Sequence, residues 1–183
     1  EGFSLISDYN GIYSGKVFSN GVITVKNNII DTAGDGISFR HSDSAATDTK
    51  LKITGNDITT GDTAIFLDMS LVGCRVEISE NHISDSSRGI RLQCEIGYDG
   101  TEAKSEYASE VVINNNTIDT ADVDSTTSPG YWDGAILVTQ LYYGSVHITE
   151  NRLIDCRQGI LVGTGGRAGA ETDVLVKGNT ITL

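Results

Sequence analysis

"NNIIDTAGDGISF", residues 27–39, sets Asn28 two residues before Ile30 and nine before Ile37, the Ile of a Gly-Ile-Ser-Phe tetrapeptide. The same offsets return at Asn56, Ile58 and Ile65, at Asn81, Ile83 and Ile90, and at Asn151, Leu153 and Ile160. Asn116 with Ile118 and Asn179 with Ile181 open two further copies. Five and three residues before each Asn stands an apolar pair: Ile23/Val25, Leu51/Ile53, Val76/Ile78, Val111/Ile113, Val146/Ile148 and Val174/Val176. Six aligned copies define a repeat architecture.

Within each copy the apolar residues alternate with a period of two, the period of a strand with one buried face. No helical periodicity appears, and the single Pro leaves the strands uninterrupted. Each copy therefore reads as strand, tight turn, short strand, turn, strand. Strands this short gain stability only by stacking on the neighbouring copies, identical strand on identical strand. The expectation is an all-β, right-handed parallel β-helix solenoid of about six to seven coils, right-handed because parallel crossovers almost always are. The recurring Asn is expected at a sharp corner, taking the left-handed backbone conformation. Its stacked side-chain amides should form a ladder along the axis.

The repeat from Gly11-Ile12 to Ile181, with its "NxI…GIxL" pattern, resembles the right-handed parallel β-helix superfamily of pectate-lyase-like and pectin-lyase-like proteins. That superfold hosts many activities, and no motif diagnostic of a uronan epimerase, pectin methylesterase or polygalacturonase is present.

The chain of 183 residues reads as a single domain, residues 1–183, expected to be excised from a longer chain because it starts mid-pattern and stops mid-coil. Its open edges suit end-to-end or trimeric self-association. A formal charge of −12 argues against nucleic acid and anionic membranes as partners. No apolar run is long enough for membrane insertion. Cys74, Cys94 and Cys156 have no metal-ligand spacing. They read as small core or turn residues, with a Cys74–Cys94 bridge between adjacent coils left open.

Two insertions depart from the repeat, and in a solenoid insertions mark the working face. Residues 93–110 lengthen one connection after the Gly-Ile strand, and residues 119–135 lengthen the connection before the next one. They are expected to wall a groove from opposite edges of one sheet. On its floor the residue after each Ile faces outward, giving Ser38, Phe66, Arg91, Leu137 and Leu161. Two residues further come Arg40, Asp68, Gln93, Thr139 and Gly163. His41 lies beside Arg40, and Asp35 and Arg88 stand at the strand starts. The insertions carry Tyr98, Tyr107, Tyr131, Trp132 and Asp133, with Tyr142 and Tyr143 in the following turn. Flat aromatic faces suit sugar rings, and a row of long polar side chains suits an extended polysaccharide.

The resemblance implies an extracellular, cell-surface or phage-particle protein that acts on such a polymer. In the lyase version (uronate β-elimination) Arg91, Arg40, His41 or Tyr131 would serve as base. Asp35, Asp68, Asp122, Asp124 or Asp133 could hold Ca²⁺, although no loop has a recognisable calcium spacing. In the glycosidase version the paired carboxylates would come from Asp35, Asp68 and Asp133. Arg91, Asp68, Arg40 and His41 are thus the catalytic candidates. Trp132, Tyr131, Asp133, Arg88, Gln93 and Asp35 are the substrate-binding ones. The alternative is a non-catalytic module: a tailspike-type receptor binder, an adhesin or a cell-surface stalk.

Overall fold

The computed structural model describes residues 2–16, 18–120, 134–163 and 171–182, leaving aside the side chains of residues 42–44. Within them the chain winds as a parallel β-solenoid of three sheets with seven, six and six strands along their main paths. Sheet A carries the Asn-x-Ile strands, such as Asp57–Thr60 and His82–Ser86. Sheet B carries the Gly-Ile strands: Ile12–Ser14, Ile37–Thr47, Thr63–Val72, Arg88–Leu92, Ile136–Val138 and Ile160–Val162. Sheet C carries the strands before each Asn, such as Lys50–Thr54 and Arg75–Ser79. Each coil thus runs C, A, B, the strand-turn-strand-turn-strand order of the repeat.

Register follows the repeat. Ile37 pairs with Ile65, Ile65 with Ile90, Ile90 with Ile136 and Ile136 with Ile160. Stacking identical positions gives columns of apolar side chains that fill the tube, with Ile53, Ile78, Ile113 and Ile148 in one column and Ile58, Ile83 and Ile118 in another, all fully buried. The Gly before Ile12, Ile37 and Ile90 has a steric reason. A Cβ on Gly89 would lie 2.3 Å from the Ala135 carbonyl oxygen and 2.6 Å from Ile118 Cγ2.

The Asn ladder is continuous. Asn28 Nδ2 donates to Asn56 Oδ1 at 2.9 Å, Asn56 to Asn81 at 2.9 Å, Asn81 to Asn116 at 3.0 Å, Asn116 to Asn151 at 2.9 Å and Asn151 to Asn179 at 2.9 Å. From Asn56 to Asn179 each Oδ1 also accepts the backbone N–H of the Asn below it, for example Asn56 N to Asn81 Oδ1 at 3.0 Å, and Asn28 Oδ1 accepts from Phe3 N at 3.3 Å. The backbone part of the expectation is corrected. The left-handed residue is the one before each ladder Asn: Asn27, Gly55, Glu80, Asn115, Glu150 and Gly178 all have φ between 54° and 69°. The positive-φ residue makes the corner, and the Asn that follows turns its amide inward to satisfy the corner's backbone.

The bridge left open between Cys74 and Cys94 does not form, because all three cysteines are free, buried thiols. Cys74 lies at the corner from sheet B to sheet C, where its backbone N–H donates to Ser109 Oγ at 3.0 Å. At the last coil the inward columns lose their cover, and Val174, Val176 and Ile181 are exposed. Near the other end Phe3, Ile6, Tyr9 and Val22 are exposed as well. Among the described residues no helix is long and apolar enough to cross a membrane.

Candidate functional site

The outer face of sheet B has the two columns expected from the spacing. Tyr13, Ser38, Phe66, Arg91, Leu137 and Leu161 are successive strand partners. Arg40 pairs with Asp68 in the adjoining column. Gln93, whose N–H bonds Leu67 O at 2.8 Å, follows as the next rung of that column. Neighbouring rungs are about 4.8 Å apart, so Arg40, Asp68 and Arg91 share one patch.

Phe66 is its centre. It points away from the tube yet is only 7% exposed, because two guanidiniums cover it. Arg40 Cζ lies 4.4 Å and Arg91 Cζ 5.0 Å from the ring centroid. The negative face of the ring favours both cations, which otherwise repel each other. Arg40 is fixed further by Nε to Ser38 Oγ at 3.0 Å and by an ion pair with Asp35. Arg91 Nη2 donates to Gln93 Oε1 at 3.1 Å. Burial first, and then the nearby Arg88 guanidinium, pull the Arg91 pKa below the usual arginine value, while Asp62 and Asp68 oppose this.

The remaining candidates divide. Asp35 is 2% exposed and engaged by Arg40, so it offers no open carboxylate to a cation. Arg88 pairs with Asp62 at 2.6 Å at the strand start. His41 does not join the outer face. It is the strand partner of Met69, a core residue, and its Nδ1 is buried without a hydrogen bond. A register shift follows His41, where residues 42–44 are extra relative to the next strand. Trp132, Tyr131 and Asp133 lie outside the described residues, as do Asp122 and Asp124. Among the described residues no three His, Cys, Asp or Glu side chains gather as a metal site.

The first insertion is not the wall expected at Gln93. The chain continues along the tube: Cys94 is buried, Glu95 and Ile96 pair with Ser70 and Leu71, and Ile96 fills the core. Only then does it leave, as a small hairpin with a bridge between Tyr98 and Ala103. Asp99 organises that turn by accepting from Thr101 N at 2.8 Å and Glu102 N at 2.9 Å. The Glu102 amide leads the contacts that hold the Asp99 carboxyl down at about 2. The aromatics there serve each other, with Tyr98 stacked on Tyr142 at 5.1 Å and 23°. Glu95 is the polar residue that reading the motif missed. Its signal was the alternation itself, carried one step past Gln93.

A cleft of 640 Å³ lies elsewhere, at the corner between sheets B and C, lined by Lys50, Gly73, Arg75, Ser109, Glu110 and Asp173 among others. None of the expected site residues borders it. Arg40, Asp68 and Arg91 gather instead on the outer face of sheet B.

A family model described as a right-handed β-helix region matches residues 10–182. Among curated proteins and among solved structures nothing matches.

Proposed function

The chain belongs to the right-handed β-helix family, and we propose that it holds an extended extracellular polysaccharide across the outer face of sheet B and cleaves it there, by uronate β-elimination or by glycosidic hydrolysis. One observation carries this reading. Arg40 and Arg91 are locked on Phe66, beside Asp68 and Gln93, on a flat sheet. Donors and acceptors held in advance lose little entropy when a polymer docks. Trp132, Tyr131 and Asp133, which lie outside the described residues, enter the proposal from the sequence alone.

A second reading has its own support. Arg40–Asp35 and Arg88–Asp62 are satisfied within the chain. A non-catalytic module, such as a tailspike-type receptor binder, an adhesin or a cell-surface stalk, needs no more than that. Either version belongs outside the cell or on a phage particle, with end-to-end or trimeric self-association as part of the proposal.

The deciding measurement is affinity for a panel of soluble polysaccharides: a neutral β-glucan, a galactomannan, polygalacturonate and a bacterial O-antigen. Wild type is set beside Arg91→Ala and Trp132→Ala, with thermal unfolding followed in parallel. The proposal expects binding to at least one polymer, weakened by about 1–3 kcal/mol in each variant, with unfolding nearly unchanged. Binding to none of them, or equal binding by all three proteins, overturns it.

A further inference from the structure

We infer that Asp68 and Glu95 form the acid–base pair of a hydrolytic site at which a glycosidic bond is broken with inversion. The inference rests on the glycan-holding reading above and chooses between its chemistries.

Glu95 stands past the end of the Gly-Ile motif, on the two-residue strand Glu95–Ile96. Ile96 is fully buried in the tube, so Glu95 faces outward. Its strand partner is Ser70, whose Oγ donates to Glu95 Oε2 at 2.8 Å. That bond draws the carboxyl down over the neighbouring coil. On that coil Asp68 lies two positions before Ser70, on the same face of the same strand. Asp68 and Ser70 are thus roughly 7 Å apart along the strand, and the Ser70 hydrogen bond holds the Glu95 carboxyl at the Ser70 end of that spacing. The carboxyl groups of inverting glycosidases stand about 6.5–9.5 Å apart, leaving room for a water, whereas retaining enzymes need about 5–5.5 Å.

The surroundings assign the roles. Arg40 and Gln93 flank Asp68 in its column, and both carry hydrogen-bond donors that can position a water or a sugar hydroxyl beside it. Glu95 has the longer reach and a hydroxyl partner. In the step, Asp68 takes a proton from water while the water oxygen bonds to the anomeric carbon. The glycosidic C–O bond breaks, its electron pair goes to the leaving oxygen, and that oxygen receives the proton of the Glu95 carboxyl. One water is consumed, and proton exchange with solvent restores both groups. Arg91, over Phe66 on the next coil, would bind a ring hydroxyl beside the scissile bond.

The test uses Glu95→Gln and Asp68→Asn, with Glu77→Gln on sheet C as a control, on the polymer that binds best in the panel above. Affinity, new reducing ends, unsaturated uronate absorbance and the anomeric form of fresh product by NMR are all recorded. The expected result is hydrolysis with inversion, lowered on the order of 100-fold or more in both site variants, with affinity retained and the control unaffected. Binding without cleavage, product of retained configuration, unsaturated product, or full turnover by Glu95→Gln overturns the pair while leaving the glycan-holding surface intact. Absence of any binding overturns both, so the two failures are distinguishable.

Discussion

Glu80 adopts a left-handed backbone, φ 58°, immediately before Asn81, whose side chain is buried in the ladder. The strain sits on one residue and the hydrogen bonds on the next. Asn81 Nδ2 donates to Asn116 Oδ1 at 3.0 Å and to Ile53 O at 2.9 Å, while its Oδ1 accepts from both Asn56 Nδ2 and Asn56 N. Asn81→Ala therefore leaves several buried groups unmet and should cost about 2–4 kcal/mol. Glu80→Gly relieves the left-handed strain and should be neutral or mildly stabilising, as Gly55 already does one coil away. Urea unfolding of the two variants checks this, and equal losses would refute the division of labour.

Gly89 and Gly134 make a matched pair for the stacking argument. Neither has a positive φ, so backbone strain does not enter. A Cβ at Gly89 would meet backbone oxygen at 2.3 Å, while one at Gly134 meets nothing closer than 3.5 Å among the described residues. Gly89→Ala should lose about 1–3 kcal/mol through overpacking. Gly134→Ala should change little. Thermal unfolding of both proteins decides whether the approach between coils is as tight as this.

The Arg40–Asp35 pair is lopsided. The Asp35 side chain is 2% exposed and that of Arg40 is 42% exposed. Removing the arginine strands a buried carboxylate, whereas removing the aspartate leaves a guanidinium that already reaches water and Phe66. Arg40→Ala should therefore cost about 1–3 kcal/mol, discounted from a fully buried pair for the exposure of the arginine. Asp35→Ala should cost less. The reverse order in denaturant titration would mean that the ion pair does not anchor the outer face.

Cys94 predicts an alkaline limb. Burial lifts its thiol from the ordinary 9.0 to about 12. The unfolded thiol ionises first, so its contribution to stability is complete below about pH 9 and is lost as pH rises towards about 12, by at most about 1.4 kcal/mol per unit. Cys94→Ala should flatten the stability profile across that window without altering its slope below it. Native protein at pH 8 should also resist iodoacetamide at Cys94, and unfolding should expose it.

The architecture was legible in the order of residues, because a stacked solenoid repeats its local instructions. Asn28 to Ile37 and Asn81 to Ile90 carry the same offsets, so the same columns and the same outward pair follow on each coil. Arg40, Asp68 and Arg91 could be placed on one face for that reason alone. What lay beyond the repeat needed the folded chain. Only the stacking of corners shows that Glu80, and not Asn81, takes the strained conformation. His41 pairs with Met69 in the same register as Ile37 with Ile65, so alternation alone already puts it in a core column, whereas the pairing of Glu95 with Ser70 needed the folded chain. Ion pairs such as Arg40 with Asp35 are also tertiary decisions. A long side chain can reach several partners, and the choice depends on which charges the neighbouring coils have buried. The repeat determines a periodic tube, because each of its contacts joins like to like. The chemistry on its surface comes from the outward positions, where the repeat leaves the residue type free, and their partners are set by distance in the folded chain.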